Sequence, residues 1–132
     1  MMKKFSFDHT AFQVSNMDKA IKWYIEVLGF EFLFRGTNQD DKEEYAFLKY
    51  GNSRLELIQD LVIPFIKPEV KKPFCPHLCL EIENMKIALK LIEKHNLKIV
   101  RGPLEIKDEE TWVYFTDPDN NILEFIEWYN KK

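Results

Sequence analysis

The sequence predicts an α+β fold of two tandem βαβββ modules, and three observations predict it. His9 and Glu56 recur 68 positions later as His77 and Glu124. The text around them repeats in the same register: His9-Thr-Ala-Phe-Gln-Val-Ser-Asn-Met against His77-Leu-Cys-Leu-Glu-Ile-Glu-Asn-Met, and Leu55-Glu56-Leu57-Ile58 against Leu123-Glu124-Phe125-Ile126. Within each copy the pattern then reads strand, helix, strand, strand, strand. One domain is expected over residues 1–132, with module 1 at about 5–60, a linker at about 61–75 and module 2 at about 76–129.

In module 1 the first strand is expected over Phe5 to Val14. Ser15 or Asn16 then caps a helix whose apolar face is Met17, Ala20, Ile21 and Tyr24, and Gly29 ends it. A short strand near Phe30 to Phe34 leads through a polar stretch, Gly36 to Glu44, into a strand at Tyr45 to Tyr50. A Gly51-Asn52-Ser53 turn opens the last strand, Arg54 to Gln59. Pro64, Pro68, Pro73 and Pro76 disfavour regular structure in the linker. In module 2, Met85, Ala88, Leu89 and Ile92 repeat the helical stripe, and Asp117-Pro118-Asp119-Asn120 marks a turn before a strand at Asn121 to Trp128.

The 132 residues, 45% hydrophobic and 14% aromatic, suffice for one core. A formal charge of −3 offers no basic stripe, so neither nucleic acid nor an anionic membrane is expected as a partner. No apolar run reaches the length of a membrane span, and no signal-like segment follows Met-Met-Lys-Lys, so a cytoplasmic location is the default expectation. Cys75 and Cys79 would stand about 13 Å apart in a strand, beyond the roughly 7 Å reach of a disulfide, so free thiols are expected.

Strand parity carries the reading from fold to site. Phe12, Val14, Leu80 and Ile82 form the helix-facing side of the opening strands, and Leu55, Leu57, Leu123 and Phe125 that of the closing strands. His9, His77, Glu56 and Glu124 have the opposite parity and are expected to share one face. Glu124 is flanked at equal parity by Ile122, Ile126 and Trp128, where a lone carboxylate is costly unless paired, protonated or coordinated. Two imidazoles and two carboxylates suit a borderline divalent ion such as Zn²⁺, Ni²⁺ or Co²⁺. The plainer alternative is four ordinary strand residues left over from a duplication.

These stretches, together with Ala20-Ile21-Lys22-Trp23-Tyr24, Val27-Leu28-Gly29-Phe30, Pro76-His77-Leu78 and Tyr114 to Glu124, resemble the vicinal oxygen chelate superfamily over nearly the whole chain. The resemblance implies a curved mixed sheet around a metal-binding cleft, with His9, Glu56, His77 and Glu124 as ligands. Within the superfamily their order looks like glyoxalase I, which isomerises the hemithioacetal of glutathione and methylglyoxal. That likeness implies a metal that polarises substrate oxygens and stabilises an enediolate, with Glu124 as base and Glu56 as second carboxylate. It also implies glutathione or another thiol as cosubstrate and a homodimer acting on a small molecule.

Arg35, Arg101 and Lys107 are the candidates for receiving substrate carboxylates, against the plainer reading of surface solubility. Gln13 and Asp60 depart from the arginine and asparagine often found in bacterial glyoxalases. A methylmalonyl-CoA epimerase-like enzyme remains the alternative activity. A metal-free binding protein of the bleomycin-resistance type remains the alternative class, its cleft lined by Tyr45, Phe47, Trp112, Tyr114 and Trp128.

Overall fold

The computed structural model describes residues 3–132. The chain divides into two compact halves, Met1–Ile66 and Lys67–Lys132. The first contains β1 (Thr10–Gln13), α1 (Met17–Leu28), β2 (Glu31–Asn38), β3 (Glu43–Tyr50) and β4 (Ser53–Asp60). The second contains β5 (Leu78–Glu81), α2 (Met85–Lys94), β6 (Ile99–Ile106), β7 (Glu110–Thr116) and β8 (Ile122–Trp128). Each half is thus a βαβββ module with its own four-stranded mixed sheet, ordered β1-β4-β3-β2 and β5-β8-β7-β6. Among the described residues no helix is long and apolar enough to cross a membrane.

The helices form where the sequence places them, because each has a cap and one apolar stripe. The Asn16 side chain accepts from Lys19 N, and left-handed Gly29 donates its N–H to the last carbonyls of α1. The Asn84 side chain accepts from Lys86 N at the start of α2. Met17, Ala20, Tyr24 and Leu28 are buried from α1, and Met85, Ala88 and Ile92 from α2; Ile21 and Leu89 lie only half inside. They pack against the predicted face of the sheets, where Leu55, Leu57 and Leu123 are buried to within 1%. Each helix is also fastened by the strand carrying the glutamate. Gln59 Oε1 accepts from Met17 N at 2.8 Å, and Glu127 Oε1 from Met85 N at 2.8 Å.

Two expectations need correction, and the repeat has one irregularity. The first strand begins at Thr10, not Phe5, because its parallel ladder to β4 starts only at Thr10↔Leu55; Phe5 and Phe7 are exposed. The polar stretch placed between the two expected strands is largely paired: β2 runs to Asn38 and β3 starts at Glu43, held by Thr37↔Glu44 and Asn38↔Glu43. Backbone pairing there needs no apolar side chains, and Gly36 permits it, since a Cβ at Gly36 would lie 2.7 Å from the Tyr45 hydroxyl oxygen. The repeat also does not keep one step throughout. β1 and β4 map onto β5 and β8 at 68 positions, Thr10↔Leu55 onto Leu78↔Leu123. β3 maps onto β7 at 67, Phe47↔Glu56 onto Tyr114↔Glu124, because the β7–β8 turn is one residue longer. That turn closes on Asp117, whose Oδ1 accepts from Asp119 N at 2.9 Å and Asn121 N at 2.8 Å.

Candidate metal centre

In the first half, His9 stands just ahead of β1 and Glu56 in the middle of β4. His9 Nε2 lies 3.2 Å from Glu56 Oε1, and His9 Nδ1 lies 2.6 Å from Asp8 Oδ2. In the second half, His77 stands just ahead of β5 and Glu124 in the middle of β8. His77 Nε2 lies 2.9 Å from Glu124 Oε1, and its Nδ1 lies 2.8 Å from the Phe74 carbonyl oxygen. The second pair is more enclosed, with side-chain exposures of 21% and 10% against 33% and 18%.

Both Nδ1 atoms face an oxygen that only accepts, which assigns the ring proton to Nδ1 and turns the Nε2 lone pair toward the glutamate. A lone pair facing a carboxylate at this distance requires a proton or a cation between them. The donor set therefore passes a chemical test for a divalent ion: neutral imidazole nitrogen, carboxylate oxygen, and a hydrogen bond orienting each ring from behind. Two ligands of one ion at about 2.1 Å and 90–110° stand roughly 3.0–3.4 Å apart, close to both observed spacings. Among the described residues no group of three or more His, Cys, Asp and Glu that could hold a metal ion is assembled.

Around each glutamate runs a row of cross-strand partners. In the first half the row is Phe34, Phe47, Glu56 and Ala11; in the second it is Arg101, Tyr114, Glu124 and Cys79. The first is apolar apart from Glu56: Phe34 stacks on Phe47 at 5.0 Å and Tyr45 meets both edge-on. The second is polar. Burial pushes the Tyr114 phenol up and the Glu124 charge adds to this. The Cys79 thiol is pushed up, first by burial against the sheet although the residue keeps solvent access, then by Glu124. Both cysteines are free thiols, as expected, and Cys75 Sγ lies 3.8 Å from His77 Nδ1.

The substrate-binding candidates have separate surroundings. Arg35 is engaged by Asp18 at 2.7 Å and by Glu44, and these hydrogen bonds raise its pKa, so its charge is already answered. Arg101 instead lies over the Phe74 ring, 5.9 Å from its centroid. Lys107 is exposed just beyond β6. Sequence reasoning passed over Arg54, whose guanidinium sits 4.7 Å from the Phe47 centroid and 3.4 Å from Asp8. Asp8 is held below the usual carboxylate range, first by its hydrogen bond to His9. A cavity of about 220 Å³ in the first half is lined by Gln13, Ser15, Gln59, Asp60 and Val62 among others, and by neither His9 nor Glu56.

Comparison with known proteins gives concordant results. Residues 6–125 match the profile of the Glyoxalase/Bleomycin resistance protein/Dioxygenase superfamily. The lactoylglutathione lyase of Escherichia coli O157:H7 is 28% identical over 122 residues, covering 90% of this chain and 90% of the relative. The metallothiol transferase FosB of Staphylococcus epidermidis is 28% identical over 90% of this chain and 79% of its own. Among solved structures, the trypanothione-dependent glyoxalase I of Leishmania major superposes with a TM-score of 0.72 at 24% identity, over 90% of this chain and 84% of that one.

Proposed function

Because the chain belongs to the glyoxalase/bleomycin resistance/dioxygenase superfamily, we propose that it is a metal-dependent, glyoxalase I-like lyase. It would isomerise the hemithioacetal of a 2-oxoaldehyde and a thiol, glutathione or another, to a 2-hydroxyacyl thioester. The observation that carries this reading is the His77–Glu124 pair: a carboxylate side chain 10% exposed, 2.9 Å from an imidazole whose other nitrogen is committed to Phe74. The proposed ligand set is His9, Glu56, His77 and Glu124, and the proposed ion is Ni²⁺, Co²⁺ or Zn²⁺. When bound, such an ion supplies positive charge that polarises the substrate oxygens.

The protein's own part is proton transfer. The Glu124 carboxylate takes the proton from the carbon bearing sulfur and hydroxyl, and the C–H electron pair moves toward the neighbouring carbonyl. Glu124 then returns the proton to that neighbouring carbon, while the hydroxyl proton of the sulfur-bearing carbon passes to the neighbouring oxygen. The sulfur-bearing carbon becomes the thioester carbonyl and the other carbon a secondary alcohol, so nothing is oxidised or reduced overall. Glu56 is the second carboxylate. The reading includes a single domain, a homodimer and a cytoplasmic location. Metal-reconstituted protein, assayed for isomerisation with solvent deuterium incorporation, tests it; inactivity on every thiol adduct at full metal content would overturn it.

One observation favours a second class. The stacked Phe34 and Phe47, with Tyr45 edge-on, form a wall suited to an aromatic ligand, as in a metal-free sequestering protein. Metal analysis of untagged protein purified without chelator separates the two: a near-stoichiometric divalent ion supports the lyase, and metal-free protein that binds aromatics supports sequestration.

A further inference from the structure

The two histidines are oriented by unlike means. His9 Nδ1 faces a side chain, Asp8 Oδ2 at 2.6 Å, which can follow the ring that it holds. His77 Nδ1 faces a main-chain oxygen, that of Phe74 at 2.8 Å, and a carbonyl points only where its backbone points. That backbone is strained: Phe74 lies at φ +64°, in the left-handed region that a bulky side chain rarely enters. The other described non-glycine residues at positive φ are Lys42, Asn96, Asp108 and Asn120, all polar and none buried. Phe74 is 8% exposed.

A strained residue persists only where its surroundings over-determine it, and here the side chain supplies the determination. The Phe74 ring lies 5.6 Å from that of Tyr114, which is in turn 5.0 Å from that of His77. The Arg101 guanidinium lies over the Phe74 ring, 5.9 Å from its centroid, and Phe74 N donates to the Lys71 carbonyl at 2.9 Å. The contacts close a loop: Phe74 ring to Tyr114, Tyr114 to His77, and His77 Nδ1 back to the Phe74 carbonyl. In the first half the residue 68 positions earlier is Ser6, exposed and without a ring to anchor.

We propose that Phe74 is a positioning residue for His77: its ring, seated against Tyr114, holds the left-handed backbone whose carbonyl fixes the direction of the imidazole. Phe74 supplies no ligand to the metal and no group to the reaction. Without the anchor the backbone relaxes toward negative φ, the carbonyl turns away, and the Nδ1–H loses its acceptor. Metal affinity in the second half therefore depends on an apolar side chain that acts only through His77. The consequence for metal rests on the ligand set of the lyase reading; the hold on the ring rests on the contacts of Phe74 alone.

The test follows the His77 Nδ1–H proton by NMR in the full chain, metal-free and loaded with Zn²⁺, with Zn²⁺ affinity measured by chelator competition. In wild type this proton is expected to exchange slowly with solvent. Phe74→Leu, which refills the place of the ring, should keep it protected, whereas Phe74→Ala should speed its exchange severalfold and lower Zn²⁺ affinity by about 10- to 100-fold. Phe74→Gly discriminates further, because glycine adopts positive φ freely; it should resemble Phe74→Ala although its backbone is unstrained. Cys75→Ala, which removes the sulfur 3.8 Å from the same nitrogen, should exchange as wild type does. Wild-type exchange in Phe74→Gly would show that backbone conformation alone aims the carbonyl, and wild-type exchange in Phe74→Ala that the ring is no anchor; either overturns the proposal. If Phe74→Ala does not fold, Phe74→Leu and Phe74→Gly decide between the same outcomes. Faster exchange with unchanged Zn²⁺ affinity would uphold the role of Phe74 and reject His77 as a ligand, and with it the lyase reading.

Discussion

Phe47 and Tyr114 occupy the same place in the two halves: each is the cross-strand partner of the glutamate, and each stands 5.0 Å from the ring of the histidine. One is a hydrocarbon and the other a phenol. The duplicated pairs therefore share geometry and differ in environment, which gives the substitutions below different expected outcomes in the two halves.

His77→Ala removes an imidazole whose orientation is fixed by the Phe74 carbonyl. Divalent-metal affinity should fall by more than the roughly 10- to 100-fold that losing a ligand's hydrogen-bonding partner costs. Asp8→Ala removes only such a partner, from His9, and should fall within that range. Competition with a chromophoric chelator measures both, and wild-type affinity in His77→Ala would remove it from the ligand set.

Glu124→Gln keeps an oxygen donor and the side chain's size but cannot accept the substrate proton. Turnover and solvent deuterium incorporation should fall by about 100-fold or more while metal is largely retained, because general base catalysis contributes about 10²–10⁴-fold. Glu56→Gln should cost less turnover for the same change in metal content. The two variants are to be assayed with metal content measured on the same samples, and a metal-loaded Glu124→Gln enzyme at the wild-type rate would show that another group is the base.

Gly102→Ala forces a side chain into φ +94° with backbone atoms at 2.9 and 3.0 Å. Stability should drop by about 1–3 kcal/mol, read from urea denaturation. Ala at the open Gly51 turn, where nothing lies within 4 Å, is the comparison for strain without a clash.

Two groups contribute opposite pH dependences to the fold. Asp60 Oδ1 accepts from Val62 N at 2.8 Å and Ile63 N at 2.7 Å, and these bonds, Ile63 first, hold its carboxyl below the ordinary 3.8. Its contribution is present above the unfolded value and is lost as pH falls through the lowered one. Tyr129, which donates to Glu105 at 2.6 Å, is pushed up to about 12 by that bond. Its contribution is present below the unfolded value near 10 and is lost as pH rises through about 12. Asp60→Ala should therefore flatten the acid limb of a melting-temperature profile and Tyr129→Phe the alkaline limb; a parallel shift at all pH values would assign both residues to packing alone.

The helices, the caps at Asn16 and Gly29, and the parity that separates Leu55 and Leu57 from Glu56 were legible in the sequence because each rests on local spacing. So was the repeat, as long as its step was uniform. The one-residue slip of β7 against β3 was not, because it arises in a turn whose extra residue leaves no mark on hydrophobic pattern. The same slip hid the equivalence of Phe34 with Arg101 and of Phe47 with Tyr114. The strand character of Gly36 to Asn38 was masked by polar side chains, which backbone pairing ignores. Nor does spacing reveal that Arg35 is occupied by Asp18, a residue of α1.

The hydrogen bonds from Met17 N to Gln59 and from Met85 N to Glu127 lock each helix to the strand that also carries the half's glutamate. Frame and glutamate are thereby set by one rod. The positions that differ most in character between the halves, Phe34 and Arg101, Phe47 and Tyr114, Ala11 and Cys79, lie across that rod and belong to none of the fastenings. A designer who wished to give this scaffold a new substrate would rewrite those cross-strand positions and leave the rest of the chain as it stands.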